Sequence, residues 1–365
     1  MEFKLGELFC GPGGMALGAF RARLSRGEKS PLITHAWAND YDQDSCDTYS
    51  RNLCGGVRDT VICEDVRKLD IKKLSPIDGF AYGFPCNDFS IVGKQKGFDG
   101  SFGPLYLHGI EVLDFFRPKF FVAENVGGLQ SANDGKALTK ILSDLRMAGP
   151  GYNLTTHLYK FEDYGVPQTR HRVVIVGIDK SMGHEYRVPK PTTLGKHVSV
   201  RKALENPPIP SNAKNQEITS QSTNVIERLK HTRPGENAWT ANLPRHLRLN
   251  VKGAKLSQIY KRFEPNHPAY TLTGSGGGGT HGYHWKENRA LTNRERARIQ
   301  TFPDGYVFSG SKESVRKQIG MAVSPKMAQI IFEAVLKTIA GIPYEFVAPS
   351  FRGQLDLFKG VPACC

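Results

Sequence analysis

Short apolar runs alternate with helix-like segments throughout the first 180 residues, and this alternation limits the possible folds more than any other feature. Each run has the length of one strand, and turn residues follow several of them. Strand, turn and helix repeated in this way predict a mostly parallel sheet with helices on both faces, in which ligands bind beyond the carboxyl ends of the strands. The predicted strands are residues 4–8, 34–38, 61–63, 79–82, 119–123, 155–159 and 172–177.

The alternation ends after Pro189, where the chain becomes rich in proline and poor in apolar residues. A glycine run at 274–279 reads as a loop, and Thr292 opens a new helical pattern that continues through 315–336. We therefore predict three segments. They are an α/β catalytic domain at 1–189, a small basic domain at 190–285, and a C-terminal segment at 286–365 that returns to the first domain.

Positive charge is concentrated in the second segment. The 365-residue chain has a formal net charge of +14. Sixteen Lys or Arg residues stand against six Glu and no Asp between Lys190 and Arg289. A basic block of this kind suits phosphate neutralisation, because each cation at a nucleic-acid backbone releases condensed counterions. The composition thus favours a polyanionic partner.

Other features exclude several classes of protein. No apolar run approaches the roughly 18 residues that a membrane span needs, and the N-terminus lacks a signal-peptide pattern, so we expect a cytoplasmic protein. The seven cysteines contain no CxxC pair. Neither a disulfide framework nor a metal site is therefore expected.

A first candidate site follows the first predicted strand, where Phe9, Gly11 and Gly13 lie in a turn before a helix-like segment. Glycines there allow a sharp turn and a close approach to a ligand. Asp40 ends the second strand, where a carboxylate can accept both hydroxyls of a ribose, and Asp65 follows the third, where it can accept from an adenine amino group. An adenosine ligand is predicted, and these residues leave open whether it is a nicotinamide cofactor or S-adenosylmethionine.

A second candidate site follows the later strands. Cys86 comes after a proline at the end of the fourth strand, a placement that suits a reactive thiol. Glu124 interrupts an apolar run, which is costly without a partner or a function. Arg170 and Arg172 occupy alternate positions at the start of the last predicted strand, so both side chains are expected on one face.

These residues lie in an ordered series of motifs. They are Phe9-x-Gly11-x-Gly13-Gly14, Pro85-Cys86, Glu124-Asn125-Val126, Gln168-x-Arg170-x-Arg172 and Arg294-Glu295-x-Ala297-Arg298. The series resembles that of the cytosine-5 DNA methyltransferases, most of all the bacterial restriction-modification enzymes, from Leu5 to about Gln329. The resemblance implies a Rossmann-like fold that binds S-adenosylmethionine, with the basic segment as a target-recognition domain.

The resemblance also implies roles for individual residues. Cys86 would attack C6 of a flipped-out cytosine, Glu124 would contact N3, Arg172 would bind O2, and Arg170 would orient the pocket. The residues implied for the methyl donor are Phe9, Gly11, Gly13, Met15, Asp40, Tyr41, Asp65, Val66 and Leu105. Three positions depart from the family pattern: Asn87 replaces a glutamine, Met321 an asparagine and Ser324 a proline.

The implied partner is double-stranded DNA, and the implied protein is a bacterial, nucleoid-associated monomer, with a cognate endonuclease as a possible separate companion. Two alternatives share the resemblance, namely an RNA cytosine-5 methyltransferase and a catalytically silent DNA-binding regulator. The intact Cys86, Glu124 and Arg172 argue against the regulator. A nicotinamide oxidoreductase would explain the glycine turn but not the later motifs.

Overall fold

A computed structural model describes residues 2–25, 32–84, 105–130, 135–250, 256–274 and 279–351. The chain separates into two compact units. Unit 1 comprises Met1–Lys160, His171–Pro191 and Met327–Cys365. Unit 2 comprises Phe161–Arg170 and Thr192–Lys326.

A seven-stranded sheet forms the centre of unit 1, in the order β3-β2-β1-β4-β5-β7-β6. The first five strands are parallel, and β7 pairs antiparallel with both β5 and β6. The strands are β1 (Phe3–Leu8), β2 (Ile33–Asp40), β3 (Val61–Cys63), β4 (Gly79–Tyr82), β5 (Phe120–Val126), β6 (Tyr152–Lys160) and β7 (His171–Asp179). All seven predicted strands are confirmed, because short apolar runs are the direct signature of buried strands.

Helices of unit 1 follow the strands as predicted. They are α1 (Gly14–Arg21), α2 (Gln43–Leu53), α3 (Tyr106–Phe116), α4 (Lys136–Met147) and α9 (Pro325–Ile339). The first two residues of α9 belong to unit 2 and the rest to unit 1. A short strand pair, β8 (Val188–Pro189) with β9 (Phe346–Val347), completes unit 1.

Both faces of the sheet are covered. Phe120 and Phe121 are adjacent in β5 and point to opposite faces. Phe121 belongs to an apolar cluster that includes α3 and α4, and its ring meets that of Tyr152 at 4.9 Å. Phe120 contacts the ring of Phe3 on the other face and that of Phe332 in α9. The parallel strands are therefore buried on both sides, as their apolar sequences predict.

Unit 2 contains four helices among its described residues but no strand longer than an isolated bridge. The helices are α5 (Val200–Glu205), α6 (Thr223–Lys230), α7 (Asn293–Ile299) and α8 (Lys312–Met321). Thr292 caps α7 in a capping box with Glu295, which confirms the predicted helix start. Two apolar clusters form its core, one around α5, Phe263 and α7, and the other around α6 and Tyr260.

The observed units differ from the predicted segments. The first boundary, at Pro191, lies two residues beyond the predicted one, whereas the second lies at Lys326 rather than at 285. The cause is that Leu291 and Ile299 share one apolar cluster with Val200 and Phe263, which ties α7 to the basic segment. Only the part after Lys326 returns to unit 1.

One helical stretch, Lys312–Ile339, is long and apolar enough to cross a membrane by length and composition alone. It contains α8 and α9, and 67% of its most apolar window is buried inside the fold. Burial of that extent is typical of core helices, so this stretch is weak evidence for a membrane segment.

Candidate active site

The turn after β1 is shaped by left-handed backbone and held by a carboxylate. Phe9, Gly11 and Gly13 have φ angles of 55°, 51° and 83°. The Gly11 amide donates to Oδ2 of Asp40 at 2.8 Å, and the Asp42 amide donates to Oδ1 at 3.0 Å. Burial raises the pKa of Asp40, although the amides of Asp42 and Gly11 oppose that shift. The carboxylate at the end of β2 thus fixes the glycine turn at the end of β1.

The ends of β2 and β3 are tied together by Asn39, a residue that the sequence analysis did not select. The Asn39 side chain is buried and donates to the carbonyls of Ile62 and Glu64, each at 2.9 Å. The amide of Glu64 in turn donates to the carbonyl of Asp40 at 3.0 Å. Asn39 therefore sets where the segment with Asp65 leaves the sheet.

Three residues predicted to contact an adenine lie at these strand ends. Tyr41 is 67% exposed, whereas Val66 is buried. The Asp65 carboxylate accepts from the backbone amide of Arg67 at 3.0 Å and from its guanidinium. Its hydrogen bonds with the Arg67 side chain lower the pKa of Asp65 to about 2. This carboxylate is ionised at neutral pH, and its adenine contact stays a prediction.

Residues of the predicted methyl-donor site and of the predicted cytosine site lie close together at Gly83, just after β4. A Cβ atom there would lie 3.5 Å from Oε2 of Glu124 and 4.0 Å from Cε of Met15. A Cβ atom on Gly11, by contrast, would meet no described atom within 4 Å. The end of β4 therefore brings a residue of α1 near the acidic residue of β5, while space above Gly11 stays open.

Glu124 and Arg172 form an ion pair in unit 1. The distance from Nε of Arg172 to Oε1 of Glu124 is 2.9 Å, and the two side chains are only 14% and 13% exposed, respectively. Arg172 pairs with Val126 across β5 and β7, and Glu124 lies two residues from Val126 on the same face. The guanidinium also donates to the carbonyl of His171 at 2.8 Å. The strand register thus holds a carboxylate and a guanidinium side by side.

Asn125 connects this pair to the segment that carries the predicted nucleophile. It is buried, and its amide group donates to the carbonyl of Phe84 at 3.1 Å. Its side-chain oxygen accepts from the amide of Val126 at 2.8 Å. Cys86 and Asn87 lie outside the described residues. Asn125 holds the chain two residues before Cys86.

Comparison with known proteins identifies this arrangement. Residues 3–337 match the model of the C-5 cytosine-specific DNA methylase family. The chain belongs to that family. It is a DNA (cytosine-5) methyltransferase, as the description of the family states, and a relative named as a DNA (cytosine-5-)-methyltransferase, M.ApeKI of Aeropyrum pernix, is 29% identical over 92% of this chain.

The relatives are restriction-modification enzymes. The chain is 56% identical to the type II methyltransferase M.BbvI of Brevibacillus brevis, covering 100% of this chain and 97% of the relative. It is 37% identical to M.NgoFVII of Neisseria gonorrhoeae, covering 91% and 86%. A DNA modification methyltransferase of an E. coli prophage is 25% identical with a TM-score of 0.71, and the match covers 93% of this chain and 100% of that one.

Arg170 of this methyltransferase is used differently from Arg172. It precedes β7, which begins at His171, so the argument from alternate strand positions does not apply to it. Its guanidinium is fully buried and donates to the carbonyls of Leu272, Gly320 and Ala322 at 3.0–3.3 Å. These contacts fasten three segments of unit 2, and the predicted pocket role for Arg170 draws no support from them.

Glu7 is a buried acid that the sequence analysis missed. It lies in β1 and is 2% exposed. Burial raises its pKa well above the usual value, a hydrogen bond with Tyr49 lowers it, and the charge of Asp40 raises it further. The signal was an acid within an apolar run, which is the argument that selected Glu124.

The remaining predicted positions are placed as follows. Leu105 begins the described part before α3 and packs against the apolar cluster of unit 1. Ser324, the departure from proline, is buried with its hydroxyl 2.7 Å from that of Thr301, and Met321 is 62% exposed. Among the described residues, no group of three His, Cys, Asp or Glu could hold a metal ion.

Proposed function

We propose that the chain transfers a methyl group from S-adenosylmethionine to C5 of a cytosine flipped out of one specific duplex DNA sequence, with Cys86 as the nucleophile. The observation that carries this proposal is the ion pair between Glu124 of β5 and Arg172 of β7, which lies near Gly83, three residues before Cys86. An acid and a guanidinium on one face match the N3 and O2 edge of cytosine.

The turn residues suit the methyl donor. When bound, S-adenosylmethionine supplies an electrophilic methyl group on a sulfonium sulfur. The Asp40 carboxylate accepts from the backbone amides of Gly11, Asp42 and Tyr41, and since a carboxylate has about four acceptor positions, one remains for the ribose. Tyr41 and Val66 would flank the adenine, and Asp65 would accept from its amino group. Phe9, Gly11, Gly13, Met15 and Leu105 would line the rest of the donor site.

Cys86 would begin the reaction by adding its thiolate to C6 of the cytosine. The C5–C6 π electrons then move to C5, which becomes nucleophilic enough to take the methyl group while the donor sulfur keeps the pair of the broken bond. Loss of the C5 proton to a base and cleavage of the C6–S bond restore the ring and release the Cys86 thiolate.

Glu124 and Arg172 would stabilise the charge that develops when the thiolate adds. Glu124 would deliver or share a proton at N3, and Arg172 would donate to O2. Their ion pair orients both side chains before the base arrives, so little reorganisation is needed. Asn125 would position the Cys86 segment through the Phe84 carbonyl.

A target base inside a duplex is out of reach, so the cytosine must leave the stack before Cys86 can attack it. The excess of cations between Lys190 and Arg289 favours duplex DNA as the substrate. We further propose that the enzyme acts as a monomer in the bacterial cytoplasm, alongside a separate endonuclease of the same specificity.

The experiment is bisulfite sequencing of plasmid DNA from a methylation-free host that expresses either the wild-type chain or Cys86→Ala. Protection of cytosines in one short sequence by the wild type alone supports the proposal. Binding of S-adenosylmethionine by Cys86→Ala is the control for folding. Protection of cytosines by Cys86→Ala would show that Cys86 is not the nucleophile. If the wild type methylates RNA but not DNA, the proposed substrate is wrong.

A further inference from the structure

Arg296 is a buried cation of unit 2 whose guanidinium has no hydrogen-bond or ion-pair partner among the described residues. It lies in α7 and is only 4% exposed. Its neighbours on the same helix are well satisfied: Arg294 donates to backbone carbonyls, and Arg298 pairs with Asp304. Within the described part of the chain, the Arg296 guanidinium has no hydrogen bond and no ion pair. A buried guanidinium in this state costs several kcal/mol unless an anion joins it.

The adjacent carboxylate cannot serve as that anion. Glu295 is the nearest acid in the helix, and both of its oxygens accept from Arg289 at 2.8 Å. Burial lowers the pKa of Arg296 to about 10; Tyr270 raises it, the positive charge of Arg316 lowers it, and Glu295, which is shared with Arg289, raises it by less than Tyr270 does. The local balance around Arg296 is therefore short of negative charge.

Arg316 in α8 is the second cation of this cluster. One of its terminal nitrogens donates to Nδ1 of His281 at 2.7 Å, and another lies 3.3 Å from Glu313, whose side chain is 85% exposed. Its buried Nε has no partner within the described residues. Burial, together with Arg316 and Arg296, lowers the pKa of His281 to about 4, so His281 is neutral and acts as an acceptor.

A third cation lies nearby. Nζ of Lys261 is 5.1 Å from the centre of the Tyr270 ring, and Tyr270 also interacts electrostatically with Arg296. No acceptor among the described residues binds this ammonium. Lys261 and Arg296 thus lie near Tyr270, and Arg316 contacts His281 and interacts with Arg296, with the exposed carboxylate of Glu313 beside Arg316.

We propose that Arg296, Arg316 and Lys261 form an anion site in unit 2 that holds one backbone phosphate of the DNA. The inference rests on the proposed function, since it takes duplex DNA as the substrate. A phosphate has three acceptor oxygens on a compact anion, and Arg binds such groups through paired N–H donors. A phosphate contact carries no base information, so this site sets the register of the recognition unit on the duplex.

The decisive variant is Arg296→Met in the full-length enzyme, because methionine has similar volume and no charge. If the guanidinium serves to bind a phosphate and has no structural role, replacing Arg296 with methionine should leave the thermal midpoint of the DNA-free enzyme unchanged or raise it. DNA affinity should fall about tenfold, and the slope of log K against log salt should become shallower by about 0.9. Turnover at saturating DNA should persist, with the loss appearing in KM.

Two controls make the result specific. Lys230→Gln removes a cation of the same unit that is already paired with Glu227 at 2.6 Å, and it should leave the salt slope unchanged. Arg296→Lys keeps the charge and should restore the slope. If Arg296→Met fails to fold, Arg316→Gln provides the same measurement of slope.

The inference is overturned if Arg296→Met, or Arg316→Gln in its place, binds DNA with the wild-type slope and affinity. It is also overturned if Arg296→Lys loses as much slope as Arg296→Met. Failure of the proposed function is distinct, because the wild type would then bind DNA and yet methylate no cytosine.

Discussion

The two units differ in where they place charged groups of low exposure. Unit 1 places carboxylates at or near the ends of its strands, at Glu7, Asp40 and Glu124. Unit 2 buries guanidinium groups at Arg170, Arg262, Arg294 and Arg296, besides the carboxylates of Glu162 and Glu295. The difference follows from how each unit satisfies its backbone.

In unit 1 the sheet pairs most backbone amides and carbonyls with one another. Unpaired amides remain where strands end and turns begin, and a carboxylate accepts from them, as Asp40 does from Gly11. The described part of unit 2 has short helices and isolated bridges only, so many buried carbonyls need donors from side chains. Arginine offers five donors on one side chain.

Arg262 and Arg294 show this use of arginine most clearly. Arg262 donates to the carbonyls of Leu229, His284 and Glu287, which makes it a packing residue rather than a DNA contact. Arg294 is fully buried and bonds to the carbonyls of Lys214, Pro303 and Tyr306. Arg296 is also buried, but in the part of the chain that the structure describes no carbonyl accepts from its guanidinium, which is why it is assigned to a ligand.

The largest expected effect separates these two arginines of one helix. Arg294→Met should lower the free energy of unfolding by about 3–5 kcal/mol, because each carbonyl left without a donor costs roughly 1–3 kcal/mol. Arg296→Met should not lower it. The measurement is urea unfolding of both variants beside the wild type. Equal losses of unfolding free energy in the two variants would show that Arg294 and Arg296 do not differ in their structural role.

A smaller effect is expected in unit 1 from Asn125→Ala. The change leaves the Phe84 carbonyl without its donor, at a cost of about 1–3 kcal/mol in stability. We also expect kcat to fall about tenfold or more through misplacement of the Cys86 segment, with donor affinity unchanged. Single-turnover methylation and calorimetric donor binding check the two parts. An unchanged kcat would show that Asn125 has a structural role only.

The smallest effect concerns pH and Glu7. Its folded pKa is raised, so the stability contributed by this carboxyl is fully present below about pH 4.5 and is lost as pH rises through the folded value. Glu7→Gln cannot ionise, and its thermal midpoint should gain on that of the wild type as pH increases. Midpoints recorded from pH 5 to pH 9 test this, and a constant difference would contradict it.

The opposite sign is expected of His281 in unit 2. Its folded pKa of about 4 lies below that of an unfolded histidine, so its contribution is present above about pH 6.5 and is lost as pH falls toward 4. His281→Gln should therefore weaken the loss of stability in acid. Together with Glu7→Gln, it would show that these two side chains, one in each unit, make the stability depend on pH in opposite directions.

Much of unit 1 was predictable from the sequence. Runs such as 79–82 and 119–123 are apolar and bounded by turns, and their length of four or five residues favours a buried strand over a helix. The residues at the strand ends, Asp40 and Glu124 among them, could be selected because the end of a parallel strand is a local property of the chain.

The boundary of unit 2 and the uses of its arginines were not predictable in this way. α7 is amphipathic, and its sequence does not say that Ile299 packs with Val200 rather than with unit 1. Arg170 and Arg172 are identical in type and two residues apart, yet one binds carbonyls of Leu272 and Gly320 and the other binds Glu124.

The sequence alone therefore determined the sheet, the order of motifs and the cluster of basic residues, because these depend on apolar period, turns and composition. Only the tertiary structure decided which buried cations are satisfied. Acceptors come from segments up to 152 residues away, as the hydrogen bond from Arg170 to the carbonyl of Ala322 shows. Whether a buried charged side chain finds hydrogen-bond partners depends on atoms that the fold brings together from distant segments, and a local sequence pattern does not contain that information.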